Sequence, residues 1–282
     1  MYDHSSIQAY KNCPYSYKLK FADRLSKRED GETEHDRMYG KAIHAGLDAF
    51  LLKKPYQEAF SSLYPTQLNE EDLAKTQANG ITLLDEFAAW YPINYSAYEV
   101  VEVEQTLEVN LREGVTFVVK PDAVLRHKSS NEYYGMENKT TGNSLSPTFW
   151  NRFDPNAQIT AQCAGIAQKY GDCSGVFVNG LSFGHRKRMY KGEPAGFHWS
   201  LERQLFNRNR VQIEAWKRDC LTWIQRIEQS KEQGSWGKNT EHCRWCSFKP
   251  ICLAEWTPEE DMELIEEQFE QVSDPMEYLK GK

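Results

Sequence analysis

Apolar residues recur at helical spacing through Ile7, Tyr10, Tyr17 and Phe21, which predicts a helix capped by Ser5 or Ser6 and broken or kinked at Pro14. Residues 26–37 are almost wholly polar and read as an exposed loop. Ile43, Leu47 and Phe50 then share a face of a helix over 40–52, and a second long helix is predicted over 73–91. At Tyr98 the period changes from helical to alternating. Valines and glutamates alternate through Val101, Glu102, Val103 and Glu104, the pattern of a half-buried strand. Turns at Glu113-Gly114 and Ser129-Ser130-Asn131 separate three strands, 98–109, 115–125 and 132–139, and predict an antiparallel meander. Asp154-Pro155-Asn156 opens a helix over 157–170. A strand over 175–183, a basic loop from His185 to Lys191, a short strand over 196–201 and a long helix over 205–232 follow. In the tail, Thr257-Pro258-Glu259-Glu260 is a capping-box signature, and Met262, Ile265, Phe269 and Val272 fall on one helical face. The chain shows no internal repeat and no clear linker.

Composition changes this picture in three respects. The 282 residues are 40% hydrophobic, enough for a sizeable core. No apolar run is long enough to span a bilayer and the first residues contain no apolar signal core, so a cytoplasmic protein without a membrane segment is expected. The net charge of -7 conceals a split: ten acids face two lysines from Glu255 onward, which leaves residues 1–254 with 32 basic and 31 acidic groups. Net charge therefore neither favours nor excludes a nucleic-acid partner; local patches must decide. The expected organisation is one domain over 1–254 followed by an acidic amphipathic helix or tail over 255–282.

Candidate chemistry begins in the meander. Glu137 and Lys139, two residues apart on a strand, point to one side, and Asp122 comes from the neighbouring strand. Two close carboxylates repel and favour a divalent cation between them, for which hard oxygen donors suit magnesium or manganese. The competing reading is a surface salt bridge. His44, in Gly40-Lys41-Ala42-Ile43-His44, sits on a helix that otherwise packs. Gln158 opens the helix over 157–170, where a phosphate could approach a helix N-terminus.

A second candidate centre is Cys243-x2-Cys246-x5-Cys252, in the turn-rich segment HCRWCSFKPIC. Three cysteines so placed read as metal ligands rather than core residues. Zinc could take His242 or a distant cysteine as fourth ligand, whereas a [4Fe-4S] cluster needs four thiolates. Basic residues mark a third feature. His185, Arg186, Lys187, Arg188 and Lys191 cluster in the predicted loop, and Arg203, Arg208, Arg210, Lys217 and Arg218 lie about the start of the last long helix. Tyr190, Phe197, Trp199 and Phe206 are interleaved with them. Such patches track phosphates and stack on unpaired bases, or are ordinary solvated surface.

Taken together in order and spacing, these motifs resemble the PD-(D/E)XK nuclease superfamily. More narrowly the chain is similar to RecB-like exonucleases that carry an iron–sulfur cluster, including AddB-type and CRISPR-associated nucleases, from about Ser6 to Leu253. The resemblance implies an α/β fold with a restriction-endonuclease-like core, a small mixed sheet flanked by helices, a helical N-terminal region and a cluster-stapled C-terminus. It matches Gly40 to His44 to the family's G-x-x-x-H motif and Asp122 to its motif aspartate, although the glycine often found before that aspartate is missing. Glu137-Asn138-Lys139 matches the D/E-x-K motif. This implies Mg2+ or Mn2+ held by His44, Asp122, Glu137 and the Asn138 main-chain carbonyl, with Lys139 catalytic. Gln158 matches the family's glutamine motif, but Gln162 stands where tyrosine is usual, which weakens any claim about substrate contacts there. Cys13, before Pro14, matches the family's lone N-terminal cysteine. It implies a [4Fe-4S] cluster on Cys13, Cys243, Cys246 and Cys252, with Zn2+ as the alternative.

The implied activity is metal-dependent hydrolysis of DNA, on single strands or ends. Recombination, repair or CRISPR-adaptation proteins are candidate partners, and Arg186, Lys187, Arg188, Lys191, Arg208 and Arg210 are candidate DNA contacts. A non-catalytic DNA-binding or assembly subunit that keeps the fold is the alternative.

Overall fold

A computed structural model describes residues 1–28, 31–64, 73–189, 195–254, 267–273 and 276. In chain order the elements are α1 (His4–Asn12), α2 (Pro14–Tyr17), a π-helical turn (Lys18–Ala22), β1 (Leu25–Lys27), α3 (Gly31–Leu51), α4 (Tyr56–Leu63), α5 (Gln77–Asn94), β2 (Tyr98–Val103), β3 (Leu107–Arg112), β4 (Val115–Val119), β5 (Ala123–His127) and β6 (Tyr133–Thr141). There follow α6 (Pro147–Asn151), α7 (Ala157–Tyr170), β7 (Val176–Arg186), β8 (Gly196–Phe206), α8 (Arg210–Gln233), a 3-10 turn (Thr240–Trp245), α9 (Lys249–Ala254) and β9 (Phe269–Gln271). They fall into two compact units. One gathers Met1–Glu29, Glu108–Val119 and Arg210–Lys282; the other gathers Asp30–Leu107 and Lys120–Asn209. No described helix is long and apolar enough to cross a membrane.

The second unit is a mixed α/β structure. Its sheet has the order β2-β5-β6-β7-β8, antiparallel throughout except for the parallel pair β6-β7. Strand alternation sorts the side chains onto two faces. Tyr134, Met136 and Phe177 join Leu51, Tyr95, Val103 and Leu125 in one buried cluster. Leu181 and Phe183, on the same face of β7 as Phe177, join Tyr39, Ile43, Leu47, Phe60, Leu83 and Phe87 in another, which places α3, α4 and α5 on that side. On the opposite face, where α6 and α7 pack, two sheet positions are glycine and little space is left beside them. A Cβ at Gly135 would lie 3.0 Å from Val176 and 3.1 Å from Ile166; one at Gly180 would lie 2.7 Å from Leu145.

The first unit pairs β3 with β4 in a hairpin, and the main chain of Tyr2 lies beside that of Thr116 and Val118. Asp3, not Ser5 or Ser6, caps α1, exchanging hydrogen bonds with Ser6 in a capping box. Pro14 starts a new helix rather than kinking the first one, because position N1 needs no N–H.

Four further expectations are corrected. The segment 26–37 is not a loop: the end of β1 reaches into it and α3 begins at Gly31, extending the helical period back to buried His35 and Tyr39. The meander strands 98–109 and 115–125 each break in two. Glu104 adopts a left-handed backbone (φ 55) after β2, and Pro121, which lacks an N–H, separates β4 from β5. The meander is therefore β2-β5-β6, with the β3-β4 hairpin inserted. Third, β8 continues to Phe206 because it pairs with the whole of β7, so the last long helix starts at Arg210 and not near Leu205. Fourth, Phe269 is in a strand, β9, that pairs antiparallel with β1, and its ring stacks on Phe248. Thr257 to Glu260, Met262 and Ile265 lie outside the described residues.

Candidate functional site

Asp122 stands one residue before β5. The register that pairs Ala123 with Met136 brings it beside Glu137, and its Oδ2 accepts a 2.6 Å hydrogen bond from the Asn138 main-chain N–H. Both carboxylates are buried, at 6% and 3% exposure. Lys139, on the same side of β6 as Glu137, forms an ion pair with it. His44, on α3, places Nδ1 3.8 Å from Asp122 Oδ2. The sequence-predicted acids, lysine and histidine thus converge just before the start of β5, beside the middle of β6.

Helix α7 supplies the next layer. Asn156 caps it by accepting from the N–H groups of Gln158 and Ile159. Gln158 and Gln162, one helical turn apart, share a face. Gln158 Nε2 donates to Glu137 Oε1 at 2.9 Å, and Gln162 Nε2 donates to Glu137 Oε2. Gln158 therefore meets Glu137. Gln162, the departure from the family pattern, is a second anchor of the same carboxylate.

Electrostatics follow from burial. Desolvation, reinforced by the charge of Glu137, pushes the Asp122 carboxyl well above its usual range; the Asn138 N–H and Lys139 only partly oppose this. Burial lowers His44, favouring the neutral imidazole that a metal requires. Burial would also lower Lys139, but the charge and hydrogen bond of Glu137 and the charge of Asp122 outweigh it, so the amine is held as an ammonium. Two buried carboxylates facing one ammonium, with a neutral imidazole nearby, are a donor set whose chemistry fits a hard divalent cation. As they stand, no three His, Cys, Asp or Glu side chains among the described residues are gathered tightly enough to hold a metal ion.

Sequence reasoning missed several groups here. Lys120 pairs with Glu104, whose N–H donates to the Asp122 carbonyl at 3.0 Å. Asp48, one turn beyond His44, is pushed up to about 7 by burial and by Glu104. Arg152, stacked 4.0 Å over the Phe149 ring, is near enough for its charge to be felt at Lys139. Two local signals were present, the i, i+4 spacing of His44 and Asp48 and Lys120 two residues before Asp122; Glu104 and Arg152 come from other segments.

The cysteine candidates also meet, within the first unit. Cys13, Cys243, Cys246 and Cys252 line one cavity of about 150 Å3, together with Ser16, Lys238, Asn239 and His242. All seven cysteines are unbridged. The Asn239 N–H donates to Cys13 Sγ at 3.4 Å, and the Asn239 side chain donates to the Asn12 carbonyl, tying the two ends of the chain together at the cavity. Four thiols and an imidazole line this space, a donor set whose chemistry suits zinc or an iron–sulfur cluster, although among the described residues no three of them are gathered tightly enough to hold a metal ion.

The basic candidates separate. Lys187 and Arg188 are exposed in the turn after β7, and Arg186 ends that strand. Arg186 lies six residues beyond Gly180, the partner of Lys139 across the sheet, or about 20 Å along the strand. Arg210 is exposed at the start of α8, and Lys191 lies outside the described residues. Arg208 does not have the geometry of a phosphate contact. It is buried, with Nε bonded to Thr160 Oγ1 at 3.0 Å, Nη2 to the Phe153 carbonyl at 2.8 Å and Nη1 to the Asn207 carbonyl at 2.7 Å, and it pairs with Asp154. It clamps the start of α7.

A mixed sheet with helices on both faces is consistent with a restriction-endonuclease-like fold. The chain belongs to the PD-(D/E)XK nuclease superfamily, whose family model matches residues 4–253. The structure of a candidate exonuclease from Eubacterium rectale is similar at a TM-score of 0.51 and 11% identity, covering 91% of this chain and 92% of that one. LHK-Exo in complex with dAMP aligns at a TM-score of 0.27 and 14% identity, over 71% of this chain and 97% of that one. No match is found among curated proteins.

Proposed function

We propose that this nuclease-superfamily chain is a divalent-metal-dependent DNA exonuclease that hydrolyses phosphodiester bonds on single strands or at DNA ends. The observation that carries the reading is the convergence of Asp122, Glu137 and Lys139 where β5 begins beside β6, with His44 3.8 Å from Asp122. His44, Asp122, Glu137 and the Asn138 carbonyl would hold Mg2+ or Mn2+, which when bound lowers the pKa of water and polarises a phosphoryl oxygen. Lys139, kept as an ammonium by Glu137, orients the attacking water and stabilises charge on the phosphate. Gln158 and Gln162 fix the Glu137 carboxylate. Arg152 and the turn at Lys187 and Arg188 offer cations to the flanking phosphates. Cys13, Cys243, Cys246 and Cys252 would hold a [4Fe-4S] cluster whose role is structural.

Incubation of purified protein with end-labelled single- and double-stranded DNA, with and without Mn2+, tests the reading. Metal-dependent release of nucleotides is expected, with loss of cleavage but retention of DNA binding in Lys139→Ala. A metal-loaded Lys139→Ala protein that cleaves like the wild type sinks the assignment, and wild-type binding without cleavage favours the non-catalytic alternative.

A further inference from the structure

The three residues Asn138, Asn179 and Arg203 stand side by side across β6, β7 and β8, in register, on the face of the sheet opposite Glu137 and Lys139. Asn138 and Asn179 are almost completely buried, at 0% and 1% exposure. Asn179 Nδ2 donates to Asn138 Oδ1 at 2.8 Å, and Tyr95 Oη donates to Asn179 Oδ1 at 2.5 Å. The guanidinium of Arg203 lies 4.6 Å from the Tyr95 ring centre and 5.0 Å from that of Phe177. These polar groups border an otherwise apolar cluster that includes Met136 and Phe177.

Burying two amides and a phenol there is costly where apolar residues of similar size could pack. Asn138 Nδ2 has no hydrogen-bond partner among the described residues, so the arrangement is not optimised for stability. What the ladder does achieve is directional. Asn138 is the residue between Glu137 and Lys139, and its main-chain N–H donates to Asp122. Fixing its side chain fixes the orientation of that peptide, and with it the separation of the two carboxylates.

We infer that Tyr95 and Asn179 are positioning residues that act through Asn138 to hold the Asp122–Glu137–Lys139 constellation from behind the sheet. The inference rests on the reading of that constellation as the reaction centre. Removing partners that orient a metal-binding group typically costs about 10- to 100-fold in activity or affinity.

The test compares Tyr95→Phe and Asn179→Ala with Met136→Leu in the full chain. Met136 packs on the same buried face, two residues from Asn138, but lies off the ladder. Steady-state cleavage of a labelled single strand at saturating Mn2+ gives kcat and KM, and hydrogen exchange reports the Asn138 amide. Tyr95→Phe and Asn179→Ala are expected to lower kcat about tenfold, to leave KM for DNA nearly unchanged and to accelerate exchange at Asn138. Met136→Leu is expected to change neither. A Tyr95→Phe protein with wild-type kcat and wild-type exchange overturns the inference. So does a Met136→Leu protein with the same loss, because any loosening of the sheet would then suffice. Should the wild type prove inactive, the nuclease reading fails on its own, and the exchange rate at Asn138 still decides whether the ladder holds that peptide.

Discussion

Asp48 carries the clearest pH signature of any single residue. Burial raises its carboxyl to about 7, helped by Glu104 and opposed by Lys120. Because the folded value lies above the unfolded one, the folded state binds more protons between them. Stability from this group is complete below about pH 4 and is lost as pH rises through about 7. Asp48→Asn is therefore expected to raise stability at pH 8 by about 1–3 kcal/mol and to leave it nearly unchanged at pH 4. Thermal melts of both proteins across this range in metal-free buffer check the sign; an equal difference at both pH values would refute it. At this scale the sequence revealed Asp122, Glu137 and Lys139 because strand alternation alone puts the last two on one side. It could not reveal Asn179, which reaches Asn138 from another strand, or Tyr95, which reaches Asn179 from a helix end.

Helix α7 shows how an element serves the centre without joining the sheet. Its N-terminus is held by the Asn156 cap and by Arg208, and its first two turns carry the glutamines that grip Glu137. Arg208→Met would strand the Phe153 carbonyl in a buried setting and leave the Thr160 hydroxyl only its bond to the Asn156 carbonyl. A loss of about 2–3 kcal/mol is expected, read as a lower melting temperature. If Arg208 contributes no phosphate contact, the slope of DNA affinity against salt should stay as in the wild type; a slope reduced by about one would return it to the DNA surface. Helix α7 itself was legible to the residue, from its cap and apolar spacing. The meander was legible only in outline, since Pro121 and the left-handed Glu104 divide what hydropathy joins. Alternation cannot tell one long strand from two short ones that enter different sheets.

For the molecule as a whole, the cysteine cavity makes the sharpest demand. If it holds a cluster on four thiolates, Cys13→Ser is expected to purify anaerobically without its brown colour and with little iron or sulfide. Full iron and sulfide in that variant would remove Cys13 from the ligand set. Closing a loop of about 230 residues would restrict the unfolded chain by on the order of 5 kcal/mol, so a lower melting temperature should accompany the loss. Spacing alone picked out Cys243, Cys246 and Cys252; Cys13 came only from the family resemblance, and the fold brings it to the same cavity. The division into two units was not readable, since neither is continuous in sequence. That discontinuity sets a timetable for biogenesis. At about 5–20 residues per second, the ribosome needs roughly 10–50 seconds after making Cys13 before it makes Cys243. Throughout that interval the N-terminal helices lack the segment that completes their unit. The four cysteines that line the pocket therefore cannot come together until Cys252 has been made, and any group they hold would have to be loaded after that point.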